Sequence, residues 1–293
     1  MSRLEILKTY KLYIGGQFPR TESGRYYSLK KKSGNLIANV CLSSRKDFRN
    51  AVVAARSAFA GWSSRAHFNR GQILYRIAEV LEGRKSQFID ELMLQGATEK
   101  SAALEVQTAI DRWVYYAGWC DKYLQIFSSV NPVASSHFNF SVTEPMGVVA
   151  VVADEQTSLI GLVSVIAPLI AGGNTCIVLS SESKPLCSIT LAEVLHSSDL
   201  PGGVVNILTG KSSELVPHFS SHMDVNAFLY CRENKEEIFT AQQNASKNVM
   251  RFNAYQNNWI KNDCQSPYYI LDFQEVKTTW HPIENIGSAG AKY

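Results

Sequence analysis

Apolar and polar residues alternate in blocks along the middle of the chain, and the blocks follow a regular order. Short apolar runs alternate with longer apolar segments, in the order 148–153, 159–171, 175–179, 185–196 and 204–208. The short runs are typical of parallel strands buried on both faces, and the longer segments favour helices. The succession of strand and helix predicts a doubly wound, Rossmann-like parallel sheet of the α/β class. The run 225–230 predicts a further strand.

The first part of the chain has helical periodicity. Apolar residues at helical spacing predict three N-terminal helices, over 44–62, 70–94 and 101–127. Ser44 and Asp47 have the spacing of a capping box at the start of the first helix. Ahead of these helices, the alternating segment 10–19 predicts a hairpin that turns at Gly15 and Gly16.

Two strands are predicted outside the sheet, at 136–143 and 275–280, because their residues alternate with period two. Between the sheet and the second of these strands, the pattern of 232–267 is weak and polar, and 287–293 is expected to be loose. The expected division is a domain of residues 1–267, including the strand 136–143, followed by a closing strand and tail at 268–293.

Composition argues against several classes of protein. A hydrophobic content of 45% with 19% charged residues is ordinary for a globular protein, and a net charge of +3 gives no reason to expect a nucleic-acid partner. The apolar segment 159–171 is shorter than the roughly 20 residues that cross a bilayer, so no membrane partner is expected. Six scattered cysteines and an N-terminus without a signal-peptide core predict reduced thiols in the cytoplasm.

Residue patterns alone assign no catalytic or metal-binding residue. His218 and His222 are four residues apart, but Pro217 favours a surface turn over a zinc site. Cys264 lies in the polar segment beside Asp263, whose charge raises the pKa of a thiol, and no histidine lies within ten residues of it. The chain has neither a G-x-S-x-G elbow nor a phosphate-binding P-loop.

Six motifs nevertheless occur in an informative order and spacing. They are Tyr13-Ile-Gly-Gly, Arg70-Gly-Gln-Ile-Leu, Tyr115-Tyr-Ala-Gly, Glu144-Pro-Met-Gly-Val-Val, Ala167-Pro-Leu-Ile-Ala-Gly-Gly-Asn-Thr and Pro201-Gly-Gly-Val-Val-Asn. Through them the chain resembles the aldehyde dehydrogenase superfamily, especially the second half of its two-part family-16 members, over residues 10–231 and near 268–282. The resemblance implies an NAD(P)-binding domain, oxidation of aldehydes, and an oligomerisation arm built from the strands 136–143 and 275–280.

Most positions that serve this chemistry in the family carry other residues here. The asparagine that stabilises the family's oxyanion aligns with Gln156, preceded by Asp154 and Glu155, which favour a solvated strand-to-helix loop. Leu179 stands where the family has a ribose-binding lysine. Glu182 aligns with the family's ribose-binding glutamate and is the one cofactor contact that the resemblance retains.

The family's glycine-rich pyrophosphate turn aligns with 232–237. Arg232 and Glu237 replace its two glycines, so side chains are expected to fill the space of the phosphates. The family's catalytic domain follows this turn, but about 35 residues separate Arg232 from Pro267, too few for another domain. We therefore expect the catalytic domain to be absent and no cofactor to bind. If a cofactor did bind, the resemblance implies that it would be NAD(P).

Three functions remain open at this stage. The first is a catalytically inactive pseudoenzyme, a structural or regulatory subunit that pairs with itself or with a full-length aldehyde dehydrogenase through the strands 136–143 and 275–280. The second is an NAD(P)-dependent oxidoreductase acting on aldehydes, with catalytic residues supplied by a partner chain. The third is a small-ligand binding module that uses the old dinucleotide crevice.

Overall fold

The computed structural model describes residues 8–31 and 33–283. Within them, ten helices and ten strands build a five-stranded sheet with helices on both faces, a two-stranded hairpin and a three-stranded sheet that we call the arm. The helices are α1 Arg45–Ser63, α2 His67–Gly83, α3 Lys85–Leu94, α4 Glu99–Trp119, α5 Tyr123–Phe127, α6 Ile160–Ala171, α7 Leu186–His196, α8 Ser212–Ser221, α9 Lys235–Lys247 and α10 Tyr268–Leu271. The strands are β1 Tyr26–Lys30, β2 Leu36–Cys41, β3 Ser129–Asn131, β4 His137–Pro145, β5 Val148–Val152, β6 Thr175–Leu179, β7 Val205–Leu208, β8 Ala227–Tyr230, β9 Arg251–Ala254 and β10 Gln274–Pro282.

The five-stranded sheet has the order β7-β6-β5-β8-β9, and each neighbouring pair is parallel. The chain winds outward from β5 to β7, returns to the other side of β5, and continues outward to β9. This order confirms the predicted doubly wound α/β sheet. The reversal of strand order lies between β5 and β8, the position where open parallel sheets bind ligands.

Successive residues of β5 pack into two different hydrophobic clusters, which explains the continuous apolar run. Val149 and Val151 face the cluster formed with α2, α4, α6 and α7. Val148, Ala150 and Val152 face the cluster formed with α1, α8 and α9. Because side chains of a strand point alternately to opposite faces, both faces of the sheet are covered. No helix in the described ranges is long and apolar enough to cross a membrane.

Two of the predicted helices are each interrupted. The helix predicted over 70–94 is divided at Arg84, which has φ −110° and ψ 14°, and the preceding Gly83 weakens helical continuity. The helix predicted over 101–127 ends at Trp119 and resumes as α5. The start of α1 agrees with the sequence, since Ser44 and Asp47 form the predicted capping box.

The segment 10–19 forms the predicted hairpin turn at Gly15 and Gly16. Ile14 and Gln17 exchange two main-chain hydrogen bonds of 3.0 Å, and Tyr13 bridges to Ile207 at the edge of the sheet. The segment 232–267, whose pattern is weak and polar, contains α9 and the outermost strand β9, which were not predicted. The burial of α9 explains the weak signal, since the fully buried positions are the small residues Ala241 and Ala245.

The arm confirms both strands that were predicted outside the main sheet. β4 pairs with β10 in antiparallel fashion over nine residue pairs, from Gln274 opposite Pro145 to Pro282 opposite His137. β3 pairs with the other side of β4. Within residues 8–31 and 33–283, the other long side of β10 has no neighbouring strand and is an edge of the arm. The predicted loose tail, 287–293, lies outside the described residues.

Candidate functional site at the carboxyl edge of the sheet

A cleft of about 530 Å³ lies at the reversal of strand order, and we call it the switch-point cleft. The loops that follow β5, β8 and β9 form its walls. Its lining includes Asp154, Gln156, Arg232, Asn257 and Trp259. The cleft therefore occupies the position where a dinucleotide would bind in a sheet of this topology.

The side chain of Arg232 lies across the ends of β5 and β6. Its Nε donates to the main-chain oxygen of Ala153 at 3.0 Å, and its Nη2 donates to that of Ser180 at 3.0 Å. Its Nη1 donates to Glu182 Oε1 at 2.8 Å, and its Nη2 lies 3.2 Å from Glu155 Oε2. Only 9% of the arginine side chain is exposed. Arg232 therefore joins two strand ends and two carboxylates within the protein.

Glu155 is held by more than this arginine. Its Oε2 accepts from the main-chain N–H of Glu182 at 3.0 Å, and its Oε1 accepts from the N–H and hydroxyl of Ser183 at 2.9 and 2.7 Å. Burial alone would raise the pKa of Glu155, but Arg232 and these hydrogen bonds lower that pKa below its ordinary value. Glu155 lies in the predicted strand-to-helix loop and is 30% exposed, but its carboxylate is bonded within the protein.

Glu182, the retained ribose acceptor of the resemblance, is engaged inside the protein. Besides the contact with Arg232, its Oε1 accepts from the main-chain N–H of Ser212, the first residue of α8, at 2.7 Å. The hydroxyl of Tyr27 donates to the main-chain oxygen of Glu182 at 3.1 Å. The carboxylate thus faces an arginine and the N-terminus of α8 within the protein.

The second former glycine position, Glu237, also has internal partners. Its Oε1 accepts from the Ser212 hydroxyl at 2.9 Å, and its Oε2 accepts from the Tyr230 hydroxyl at 2.6 Å. The side chain of Asn234 caps α9 by accepting from the N–H groups of Glu236 and Glu237 at 3.1 and 3.2 Å. The amides that a phosphate would use at this helix start are therefore already bonded.

Gln156, which the resemblance aligns with the family's oxyanion asparagine, is exposed at the cleft, and Lys184 Nζ donates to its main-chain oxygen. Asp154 accepts from the N–H and hydroxyl of Thr157 at 3.0 and 2.9 Å. Cys264 lies on a 3₁₀ turn, where burial and then Asp263 raise the pKa of its thiol. A raised pKa keeps this cysteine in the thiol form, which is a poor nucleophile.

Glu105, which the sequence did not single out, binds the start of α6 beside the cleft. Its Oε1 accepts from three consecutive main-chain N–H groups, those of Ser158, Leu159 and Ile160, at 3.1, 2.8 and 3.1 Å. Thr157 Oγ1 accepts from the next N–H, that of Gly161, at 3.0 Å. More than fifty residues separate Glu105 from this loop, so no local motif indicates the contact.

A short segment, 255–267, joins the main sheet to α10 and the arm, and we call it the linking segment. Trp259 anchors it, because this ring is buried and lies against Gly161 in the first turn of α6. Arg112 Nη2 donates to the main-chain oxygen of Lys261 at 3.2 Å, and the Tyr116 hydroxyl donates to that of Ser266 at 3.2 Å. The linking segment is thus packed onto α4 and α6.

The described residues contain no group of three or more histidine, cysteine, aspartate or glutamate side chains that could hold a metal ion. His218 lies in the last turn of α8, with Pro217 inside the helix, so the predicted surface turn was wrong there. His222 follows as the residue that ends the helix.

The comparisons with known proteins agree with this architecture. The aldehyde dehydrogenase family model matches residues 18–252. The chain is 30% identical to cytosolic 10-formyltetrahydrofolate dehydrogenase of Mus musculus, covering 88% of this chain and 28% of that protein. It is 29% identical to mitochondrial benzaldehyde dehydrogenase of Antirrhinum majus, covering 82% of this chain and 45% of that protein. The chain therefore spans less than half the length of these relatives.

Solved structures show the same fold. An NAD⁺ complex of aldehyde dehydrogenase from Bacillus cereus has a TM-score of 0.80 at 22% identity, covering 84% of this chain and 50% of that one. PnpE from Pseudomonas sp. WBC-3 has a TM-score of 0.80 at 25% identity with the same coverage. The narrower likeness to the second half of two-part members stays a prediction. The chain belongs to the aldehyde dehydrogenase family.

Proposed function

We propose that the chain is a catalytically inactive member of its family and acts in the cytoplasm as a structural or regulatory subunit. The observation that carries this proposal is the position of Arg232, which lies in the wall of the switch-point cleft and bonds to two strand ends and two carboxylates. The six cysteines are all free, which suits a reducing compartment.

Binding of a dinucleotide in the usual pose would disrupt this arrangement. A pyrophosphate at the crevice would have to displace Arg232 and leave Glu155 and Glu182 without their cation. Both carboxylates would then repel the phosphates, and separating these partly exposed ion pairs costs about 2 kcal/mol. The proposal therefore includes the absence of bound NAD(P).

The residues near the cleft offer little for aldehyde oxidation. The Cys264 thiol has a raised pKa, and Gln156 is an exposed side chain. Only the linking segment, which is anchored by the buried Trp259, connects β9 to α10, so no catalytic domain lies between these two elements. We infer that the activity named for the relatives is not carried by these residues.

The arm supports a role in assembly. Along β10, Val276 and Trp280 are 63% and 57% exposed, and the outer edge of the strand has no partner in the described part of the chain. An exposed edge strand with apolar side chains favours aggregation unless another strand covers it. We propose that a second copy or a full-length aldehyde dehydrogenase covers this edge by strand addition.

The first test concerns the cofactor. NAD⁺ and NADP⁺ at about 1 mM, the upper end of common Michaelis constants, should leave the melting temperature of the protein unchanged. Aldehydes should give no NADH. A cofactor-dependent rise in melting temperature, or aldehyde-dependent NADH, would overturn the inactive assignment.

The second test concerns assembly and leaves the crevice intact. Val276→Asp combined with Trp280→Asp places two charges on the proposed interface and should lower the molar mass measured by light scattering. Phe239→Asp is the matched control, because Phe239 is 60% exposed on α9, away from the arm. An unchanged molar mass in the double variant contradicts assembly through β10.

A further inference from the structure

A second pocket, with a volume of about 320 Å³, lies between α1 and α8. Arg45 and Arg49 of α1 line one side, and His218 and His222 at the end of α8 line the other. Phe48 forms part of the wall between them. We call this site, defined by these five residues, the basic pocket. It shares no lining residue with the switch-point cleft.

The two arginines lie on the same face of α1, since they are four residues apart. In the described part of the chain neither has a carboxylate within ion-pair distance. The neighbouring Lys46, by contrast, pairs with Glu22 at 2.8 Å. Two guanidinium groups that face one concavity without a counter-charge favour an anion there.

The wall of the basic pocket is firmly packed. The ring of Phe48 is buried and stacks on Phe219, with 4.3 Å between the ring centroids. The ring of His222 meets Phe48 edge-on, with centroids 5.6 Å apart. His222 Nδ1 accepts from the main-chain N–H of Asp224 at 3.2 Å. This bond leaves the Nε2 of the neutral ring as a donor.

Both histidines are biased toward the neutral form while the pocket is free. Burial lowers the pKa of His218, and Arg45 lowers it further. For His222, burial is again the largest cause of a lowered pKa, Arg49 and Arg45 add to it, and Asp224 opposes it. An anion bound among these groups would reverse the effect and raise both pKa values.

We propose that the basic pocket binds a small doubly charged oxyanion, such as the phosphate group of a phosphate monoester. Guanidinium groups match tetrahedral oxyanions through paired N–H donors, and the two histidines supply further donors. The small volume favours a compact metabolite. This inference does not rest on the proposed pseudoenzyme function, since the pocket lies outside the crevice.

The proposal predicts a particular pH dependence. Binding of a dianion favours protonated histidines, so affinity for sulfate should rise as the pH falls through the ordinary histidine pKa of about 6.5. Sulfate keeps its double charge throughout this range. Inorganic phosphate takes up a proton within this range and so loses one of its two charges, and its affinity should therefore rise less. Comparison of the two anions therefore separates titration of the protein from titration of the ligand.

The experiment titrates the full chain with sodium sulfate and with inorganic phosphate at about pH 7.5 and about pH 5.5, recording amide NMR shifts near Phe48 and Phe219. Saturable shifts are expected there, stronger for sulfate at the lower pH. Arg49→Gln should weaken sulfate binding about tenfold, because it removes charge-assisted hydrogen bonds. Asp224→Asn should strengthen it by removing the opposing carboxylate.

The matched control is Lys46→Gln, which makes the same change in net charge on the same helix but should alter the sulfate affinity less than about twofold. If Lys46→Gln and Arg49→Gln weakened sulfate binding equally, the effect would be one of net charge alone, and the proposed site would be contradicted. Shifts that never saturate, or that occur elsewhere in the chain, would also overturn it.

Discussion

At the carboxyl edge of the main sheet, Arg232 supplies donors to two main-chain oxygens and to two carboxylates. At the outer edge of the arm, β10 has no strand beside it in the described residues, and Val276 and Trp280 are exposed to solvent. The first edge satisfies its polar groups from within the chain, whereas the second leaves backbone groups available. This contrast is the basis of our proposal that the chain interacts with a protein partner and not with a cofactor.

The largest expected effect on the free energy of unfolding comes from replacing Trp259 beside the switch-point cleft. Trp259→Ala should destabilise the protein by about 3 to 5 kcal/mol, because it removes a buried ring that packs the linking segment against α6. Urea unfolding of the variant and the native chain measures the difference. A decrease in the free energy of unfolding of less than about 1 kcal/mol would mean that packing of the linking segment against α6 contributes little to stability.

Replacement of Arg232 should lower the free energy of unfolding by less than replacement of Trp259. Arg232→Ala should destabilise the protein by about 2 kcal/mol, since it leaves Glu155 and Glu182 unpaired although both are partly exposed. The same unfolding measurement applies, with Arg76→Ala as the exposed-pair control, expected within about 0.5 kcal/mol of the native chain. Equal effects of the two changes would contradict the special role of Arg232.

Acid should weaken the same contact by a smaller amount. Because the pKa of Glu155 is lowered in the folded protein, its pair with Arg232 stabilises fully above the ordinary carboxylate pKa and loses this effect as the pH falls through the lowered value. Glu155→Gln should therefore lie closest in stability to the native chain in acid. Urea midpoints at about pH 7 and about pH 3.5 test this, and a constant difference between the two proteins would contradict it.

The smallest expected effect on the free energy of unfolding comes from replacing Trp280 on the arm. Trp280→Ser should change the free energy of unfolding by less than about 0.5 kcal/mol under conditions where the chain is monomeric, since its ring is 57% exposed. Chemical denaturation at low protein concentration measures this. A large destabilisation would mean that Trp280 packs within its own chain, and the contrast between the two edges would lose its basis.

Much of the sheet could be predicted from the sequence because each strand is apolar over its whole length. The runs ending at Val152 and Leu179 are buried on both faces, so their patterns carried the fold directly. The sequence pattern did not predict α9, because its buried positions are alanines. It did not predict β9 either, because the residues of that strand are half-buried or exposed. The hairpin of β1 and β2 was missed because its polar first strand gives little apolar alternation.

The sequence showed which residues replace those of the family at the candidate site, but it did not show which residues these replacements contact. Replacement of two glycines by Arg232 and Glu237 indicated a filled crevice. The partners of Arg232 could not be derived, because Glu155 and Glu182 meet it only after three strand ends come together. A charge count over the residues that follow successive strands would have suggested such a pairing.

The contact of Glu105 with the start of α6 has a consequence for the electrostatic potential at the cleft. A helix presents partial positive charge at its first turn, but here one carboxylate oxygen already accepts three of the amides there. The negative charge of Glu105 offsets that end of the helix dipole. An approaching phosphate therefore meets a neutralised helix terminus, and the attraction that usually guides nucleotides to such sheets is weakened before any contact with Arg232 is made.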